Sequence, residues 1–125
     1  MHFSPGLNGH ASLQVGEADT ALAVRSGNVA VLATPRLIAL CEEATCQALH
    51  NALPEGWTSV GVRVQFDHLA PIGIGTMVSA EATLEKVEGR RLTFTVSATD
   101  SVGLVGAGRV TRVVVEIDTF LNKTR

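Results

Sequence analysis

Thr34-Pro35-Arg36-Leu37-Ile38-Ala39-Leu40-Cys41-Glu42-Glu43-Ala44-Thr45-Cys46-Gln47-Ala48-Leu49-His50-Asn51-Ala52-Leu53 is the only long stretch of this 125-residue chain with helical periodicity. Thr34 suits an N-cap, and Pro35 suits the first turn, where its missing N–H goes unmissed. Pro54 and Gly56 supply the stop, so the pattern predicts a helix from about Pro35 to Leu53. Steps of about 100° per residue gather Leu37, Ile38, Leu40, Cys41, Ala44, Thr45, Ala48 and Leu49 into one broad apolar arc. Arg36, Glu43, Gln47 and His50 fall opposite. Glu42 stands at the margin of the apolar face, an unusual place for a charge.

On both sides of this helix the pattern is that of strands. Ala11 to Val24 reads as a first strand. From Thr58 to His68, Val60, Val62, Val64, Phe66 and His68 alternate with Arg63, Gln65 and Asp67. Ala70-Pro71-Ile72-Gly73 turns the chain into Thr76–Val87, and Glu88-Gly89-Arg90 turns it again into Leu92–Thr99. A last strand runs from Leu104 to Asp118. Short turns imply antiparallel neighbours, and one helix must cover the apolar side of the sheet they form. The expected fold is therefore α+β, a single domain spanning 1–125. It is a hot-dog fold, with an antiparallel sheet of about five strands wrapped around one long, largely enclosed helix. A ferredoxin-like sandwich needs a second helix that the sequence does not offer. Open sheet edges predict pairing of two copies into a homodimer.

Composition narrows the function. Ten Lys and Arg against twelve Asp and Glu give a net charge of −2, without the basic surface a nucleic-acid partner needs. Five aromatics offer few platforms for base stacking. No apolar run approaches the ~18 residues of a membrane span, and the N-terminus has no signal-peptide pattern. Cys41 and Cys46, five apart on a helix, point about 140° away from each other, which disfavours a disulfide. No further Cys or His pair stands at metal-ligand spacing, so no metal is expected. Two reduced thiols used for packing fit a cytoplasmic protein.

Four residues stand where packing alone would not place them. His68 continues the apolar face of its strand, Glu42 borders the helix face, Thr34 carries a hydroxyl at the helix start, and Gly61 opens the backbone within a strand. Each also has a structural reading: a strand-end histidine, an interface ion-pair partner, a helix cap and a β-bulge. Together, a hydroxyl, an imidazole, a carboxylate and an exposed N–H could supply a nucleophile, a base, an orienting acid and an oxyanion donor.

The segments Ala33–Glu42, Gly61–His68, Val87–Leu92 and Gly106-Ala107-Gly108 resemble the fluoroacetyl-CoA thioesterase family of hot-dog proteins, with similarity from about Val15 to Asn122. In that family a threonine is followed eight residues on by a glutamate and twenty-six further by a histidine, and Thr34, Glu42 and His68 keep this spacing. The resemblance implies that these three are catalytic and that Gly61 and Arg112 contact substrate. It implies hydrolysis of a small acyl-CoA thioester, with coenzyme A entering as part of the substrate and no separate cofactor. Arg90, Arg91 and Lys123 are candidates for the CoA phosphates. The family's aromatic lid has no counterpart, since Val24–Val31 holds no aromatic residue, so the resemblance carries the reaction class rather than the acyl group. Two other readings share the fold: a non-catalytic acyl-CoA or small-ligand binding module, and a hydratase or dehydratase acting on an enoyl or hydroxyacyl thioester.

Overall fold

A computed structural model describes the whole chain, Met1 to Arg125. Five strands, β1 (Asn8–Gln14), β2 (Trp57–His68), β3 (Met77–Glu88), β4 (Arg91–Thr99) and β5 (Leu104–Glu116), form one antiparallel sheet in the order β1-β3-β4-β5-β2. The long helix α2 (Thr34–Ala48) packs mainly over β1 and β3 and reaches β4, which leaves the β2 side of the concave face thinly covered. Its apolar arc falls where periodicity put it. Leu37, Leu40, Cys41, Ala44, Thr45, Ala48 and Leu49 are buried, and only Ile38 is half exposed. They meet Val78, Ala80, Ala82, Leu84, Leu92, Phe94, Val96, Val110 and Val114 from the strands. Small residues set the close approach. A Cβ on Gly9 of β1 would lie 2.3 Å from the Ala44 carbonyl oxygen, so only glycine lets β1 lie this close to the helix.

Several sequence expectations need correction. The first strand ends at Gln14 rather than Val24, because Gly16 breaks it and the chain turns helical. Glu17–Asp19 forms a short 3-10 turn, and α1 (Ala21–Val24) follows, capped by Thr20 Oγ1 accepting the Ala23 N–H at 3.2 Å. Asp19 anchors this segment to the long helix through Arg36, with Nε donating to Oδ1 at 2.9 Å. The N-cap of α2 is Ala33, not Thr34, so the threonine is the first helical residue and its hydroxyl is free for other work. The helix ends at Ala48; Pro54 and Gly56 lie in the turns beyond. It is not enclosed either, since Pro35, Ala39, Glu43, Cys46, Gln47 and His50 face solvent. At the chain's end β5 stops at Glu116, and Ile117–Leu121 forms a short helix, α3.

The order of strands also differs from a simple meander. Leu69–Thr76 does not join neighbours: it crosses from one side of the sheet to the other, tied to the chain before α2 by Leu32 N–H donating to the Ile72 carbonyl at 2.8 Å. β2 instead pairs with β5 and becomes an edge strand. A bulge between Gly61 and Arg63 then changes which side chains share a face. The register pairs Gly61 with Arg112, and Val64, Phe66 and His68 with Val110, Gly108 and Gly106. Val60 consequently leaves the face of His68, and Gly61 joins it.

Candidate active site

The two ends of β2 deliver two polar clusters to the concave face. At its C-terminal end, His68 reaches the first turn of α2, where Thr34 Oγ1 lies 2.7 Å from Nδ1. The pair borders a cleft of about 410 Å³ walled by Ser26, Gly27, Val29 and Val31 on one side and by Leu69, Ala70 and Pro71 on another. The wall segment is held at its base by Ala21 N–H donating to the Val31 carbonyl at 2.8 Å, and it contains no aromatic ring. His68 Nε2 is buried with no hydrogen-bond partner. A buried ring nitrogen left without a partner costs about 1–3 kcal/mol. When Thr34 Oγ1–H donates to Nδ1, the imidazole carries its proton on Nε2 and needs an acceptor there.

The carboxylate that could accept it lies elsewhere. Glu42 is eight residues along α2 from Thr34, about 12 Å at 1.5 Å per residue, and its Oε2 faces Arg112 Nη1 at 3.6 Å. Arg112 is 7% exposed, and Ser59 holds it: Nε donates to Oγ at 2.8 Å and Nη2 to the backbone carbonyl at 3.0 Å. Gly61 is what makes room, since a Cβ there would sit 2.7 Å from Glu42 Oε2 and 3.5 Å from Arg112 Nη1. The five expected site residues thus divide into Thr34 with His68, and Glu42 with Gly61 and Arg112. One chain does not bring all three proposed catalytic side chains together. Ser59 escaped the sequence reading: a serine in a strand carries no signal until the bulge shows which face it occupies.

Beside Glu42, the Cys41 thiol is buried within the core. Burial, and then the Glu42 charge, push its pKa up from 9.0 to about 11, so it stays protonated and is no nucleophile at neutral pH. Cys46 is exposed, and the two remain free thiols. No helix is long and apolar enough to cross a membrane, and no three His, Cys, Asp or Glu side chains cluster as metal ligands.

Residues 15–118 match the family described as fluoroacetyl-CoA-specific thioesterase, FlK. The chain belongs to this family. It is 37% identical over 95 residues to the fluoroacetyl-CoA thioesterase of Streptantibioticus cattleyicolor, covering 76% of this chain and 68% of that protein. Among solved structures, a threonine-to-serine mutant of FlK in complex with acetyl-CoA superposes with a TM-score of 0.91 at 28% identity, covering 97% of this chain and 96% of that one. A hot-dog-like protein from Thermanaerovibrio acidaminovorans gives 0.88 at 31% identity, over 97% and 90% of the two chains. The expected hot-dog architecture is therefore the architecture of this FlK-family chain.

Proposed function

We propose that this protein hydrolyses small acyl-CoA thioesters, as a cytoplasmic homodimer whose active site is shared between two subunits. The observation that carries the reading is the 2.7 Å contact from Thr34 Oγ1 to His68 Nδ1, with Nε2 left unpartnered at the edge of a small cleft. Family membership supplies the reaction class, and the acetyl-CoA complex of an FlK mutant fits a small acyl group. The free thiols fit a reducing compartment.

The edge that β2 presents supports the dimer. Val62 is 50% and Val64 38% exposed on that edge strand, an apolar rim that water disfavours. In an antiparallel self-pairing, a two-fold axis between Val64 and Gln65 would set His68 opposite Gly61 of the partner subunit. Glu42 of the partner subunit would then stand by Nε2, completing hydroxyl, imidazole and carboxylate across the interface.

In that arrangement Thr34 Oγ1–H donates to Nδ1, and His68 takes a proton as the nucleophile adds to the thioester carbonyl. The carboxylate of Glu42 holds the imidazolium that forms. A backbone N–H near Gly61 would stabilise the oxyanion, a donor worth about 3–4 kcal/mol in comparable sites. Collapse breaks the C–S bond, and His68 gives its proton to the departing CoA thiolate; the carboxylic acid forms directly when water is the nucleophile, or by a second attack of water on the Thr34 ester when Oγ1 is. Coenzyme A is part of the substrate, and the mechanism uses no further cofactor. The cleft wall at Ser26–Val31 lacks an aromatic lid, so acetyl- and propionyl-CoA are expected to turn over alongside fluoroacetyl-CoA.

The test is thiol release from an acyl-CoA panel by the wild type, His68→Ala and Glu42→Gln. Loss of at least about a hundredfold in both variants is expected. Wild-type rates in both would defeat the site, and acyl-CoA binding without turnover would favour the binding module.

A further inference from the structure

On the convex face of the sheet, turned away from α2, we propose a second binding site, for an oligophosphate anion such as pyrophosphate. The register sets a row of side chains across four strands. Arg63 of β2 stands opposite Thr111 of β5, Thr111 opposite Thr93 of β4, and Thr93 opposite Lys86 of β3. Arg91 lies on β4 at one side of this row, and Arg109 on β5 at the other. These side chains surround a cavity of about 370 Å³ that no hydrophobic residue lines. Four cations thus ring a floor of two threonines. Their pairing is uneven. Arg109 reaches over β4 to Glu85, with Nε donating to Oε2 at 3.2 Å, and Lys86 Nζ lies 3.5 Å from Glu88 Oε1. Those are the only two acids of the lining, and Arg63 and Arg91 have no carboxylate within ion-pair distance. The lining therefore keeps two unbalanced positive charges, in a chain whose net charge is −2.

The floor points to a ligand independently of charge. Thr111 is only 7% exposed, although the cations around it are all exposed, and the surface that it keeps lies in this cavity. Its hydroxyl makes no hydrogen bond within the chain, whereas that of Thr95, further along β4, donates to the Thr83 carbonyl at 3.4 Å. A free O–H donor on the floor and guanidinium forks at the rim match the oxygens of a phosphate. Spacing selects linked phosphates over one. Arg63 and Arg91 stand two strands and two residues apart, about 12 Å between backbones, and their side chains lean in from both sides. The two guanidinium groups can then close on an anion of pyrophosphate length. With no apolar or aromatic surface in the lining, the phosphate chain itself is recognised and a base finds no seat. Neighbouring residues of a strand point to opposite faces, so this site lies behind Gly61 and Arg112 and apart from them. Arg91, a candidate for the CoA phosphates by sequence, opens here and away from the cluster around Glu42.

Isothermal titration calorimetry of the wild-type protein with pyrophosphate is the test, and it needs neither turnover nor a variant. Saturable binding at millimolar concentration or below is expected, weaker as sodium chloride is raised, and at least about tenfold weaker for sulfate. Arg63→Ala and Arg91→Ala each weaken the midpoint about five- to tenfold, and Thr111→Val, which removes the hydroxyl at nearly constant volume, about threefold. Lys123→Ala, which removes a cation of another cleft, leaves the midpoint unchanged. Arg63→Ala also leaves KM for acetyl-CoA unchanged, which separates this site from the substrate's. ADP is expected to bind no more tightly than pyrophosphate. Absence of saturable heat at millimolar pyrophosphate overturns the proposal, as does a midpoint that Arg63→Ala and Arg91→Ala leave in place. ADP binding more than about tenfold tighter than pyrophosphate overturns it too, because a base would then be recognised. So does a larger assembly on size exclusion that Arg63→Ala and Arg91→Ala disperse and pyrophosphate does not, which would give this face to a second copy of the chain.

Discussion

Glu42 and Thr34 sit on one helix, about 12 Å apart, and that separation has a quantitative consequence for mixed dimers. A carboxylate cannot cover two helical turns to reach His68 Nε2, so in the proposed dimer each active site takes His68 from one chain and Glu42 from the other. His68→Ala and Glu42→Gln homodimers then contain no complete site, and each is expected to fall at least about a hundredfold in kcat. Unfolding and refolding the two variants together in equal amounts yields about half heterodimers by random pairing. Every heterodimer has one site with both residues intact and one with both altered. The mixture should therefore regain about a quarter of the wild-type rate per mole of chain, far above either parent. The assay is thiol release at saturating acyl-CoA, with a parallel mixture made without refolding as the baseline. A co-refolded mixture no more active than the mean of its parents would place both residues in one chain's site and refute the shared-site reasoning.

Other perturbations test the parts separately. Gly61→Ala pushes a methyl group to 2.7 Å from Glu42 Oε2, so the carboxylate must swing from Arg112; a stability loss of about 1–2 kcal/mol in urea and a fall of roughly tenfold in kcat are expected. Thr34→Ala removes the partner of Nδ1 and should lower kcat at least about a hundredfold, whereas Thr34→Ser keeps the hydroxyl and should retain most activity. An acyl-enzyme trapped on wild type by rapid quench would identify Oγ1 as the attacking atom rather than the group that orders a water. With an aromatic disulfide reagent at pH 8, one thiol, Cys46, should react in the native protein and two after unfolding. Alkali should also expose the raised Cys41 pKa. Unfolded chains lose this proton near pH 9.0 and the folded protein near 11, so the unfolded state binds fewer protons between them. Stability therefore falls as pH rises through that window, by roughly 3 kcal/mol from this thiol, a component absent in Cys41→Ala.

The main elements were legible where local chemistry and tertiary packing agree. Leu37, Leu40, Cys41, Ala44 and Leu49 repeat at helical spacing because one side of α2 meets the sheet, and burial follows that arc closely. The alternation of Leu92, Phe94, Val96 and Ala98 is equally direct, since β4 lies mid-sheet and buries one face along its length. What failed is non-local. Ala11–Val24 has strand-like composition, and only the Thr20 cap and the Asp19–Arg36 pair, a contact across seventeen residues, make its second half helical. The Pro71-Ile72-Gly73 turn looks like a hairpin, but its length does not reveal that it carries β3 to the far side of β4 and β5.

For the site, spacing identified the residues but not their grouping. An unbroken period of two along β2 puts Gly61 on the face away from His68, and the bulge beyond Gly61 reverses this. Only after the reversal does Gly61 look towards Glu42 and Arg112, with Ser59 beneath the guanidinium. The helix contributes the opposite constraint: eight residues are close to two full turns plus about 80°, which keeps Thr34 and Glu42 near one side of α2 while holding them apart along its axis. A site needing both therefore extends along the helix, or is assembled from two helices running in opposite directions. The buried, unpartnered Nε2 of His68 favours the proposed assembly, because a carboxylate from a second copy would satisfy it and leave the 2.7 Å Thr34 contact undisturbed.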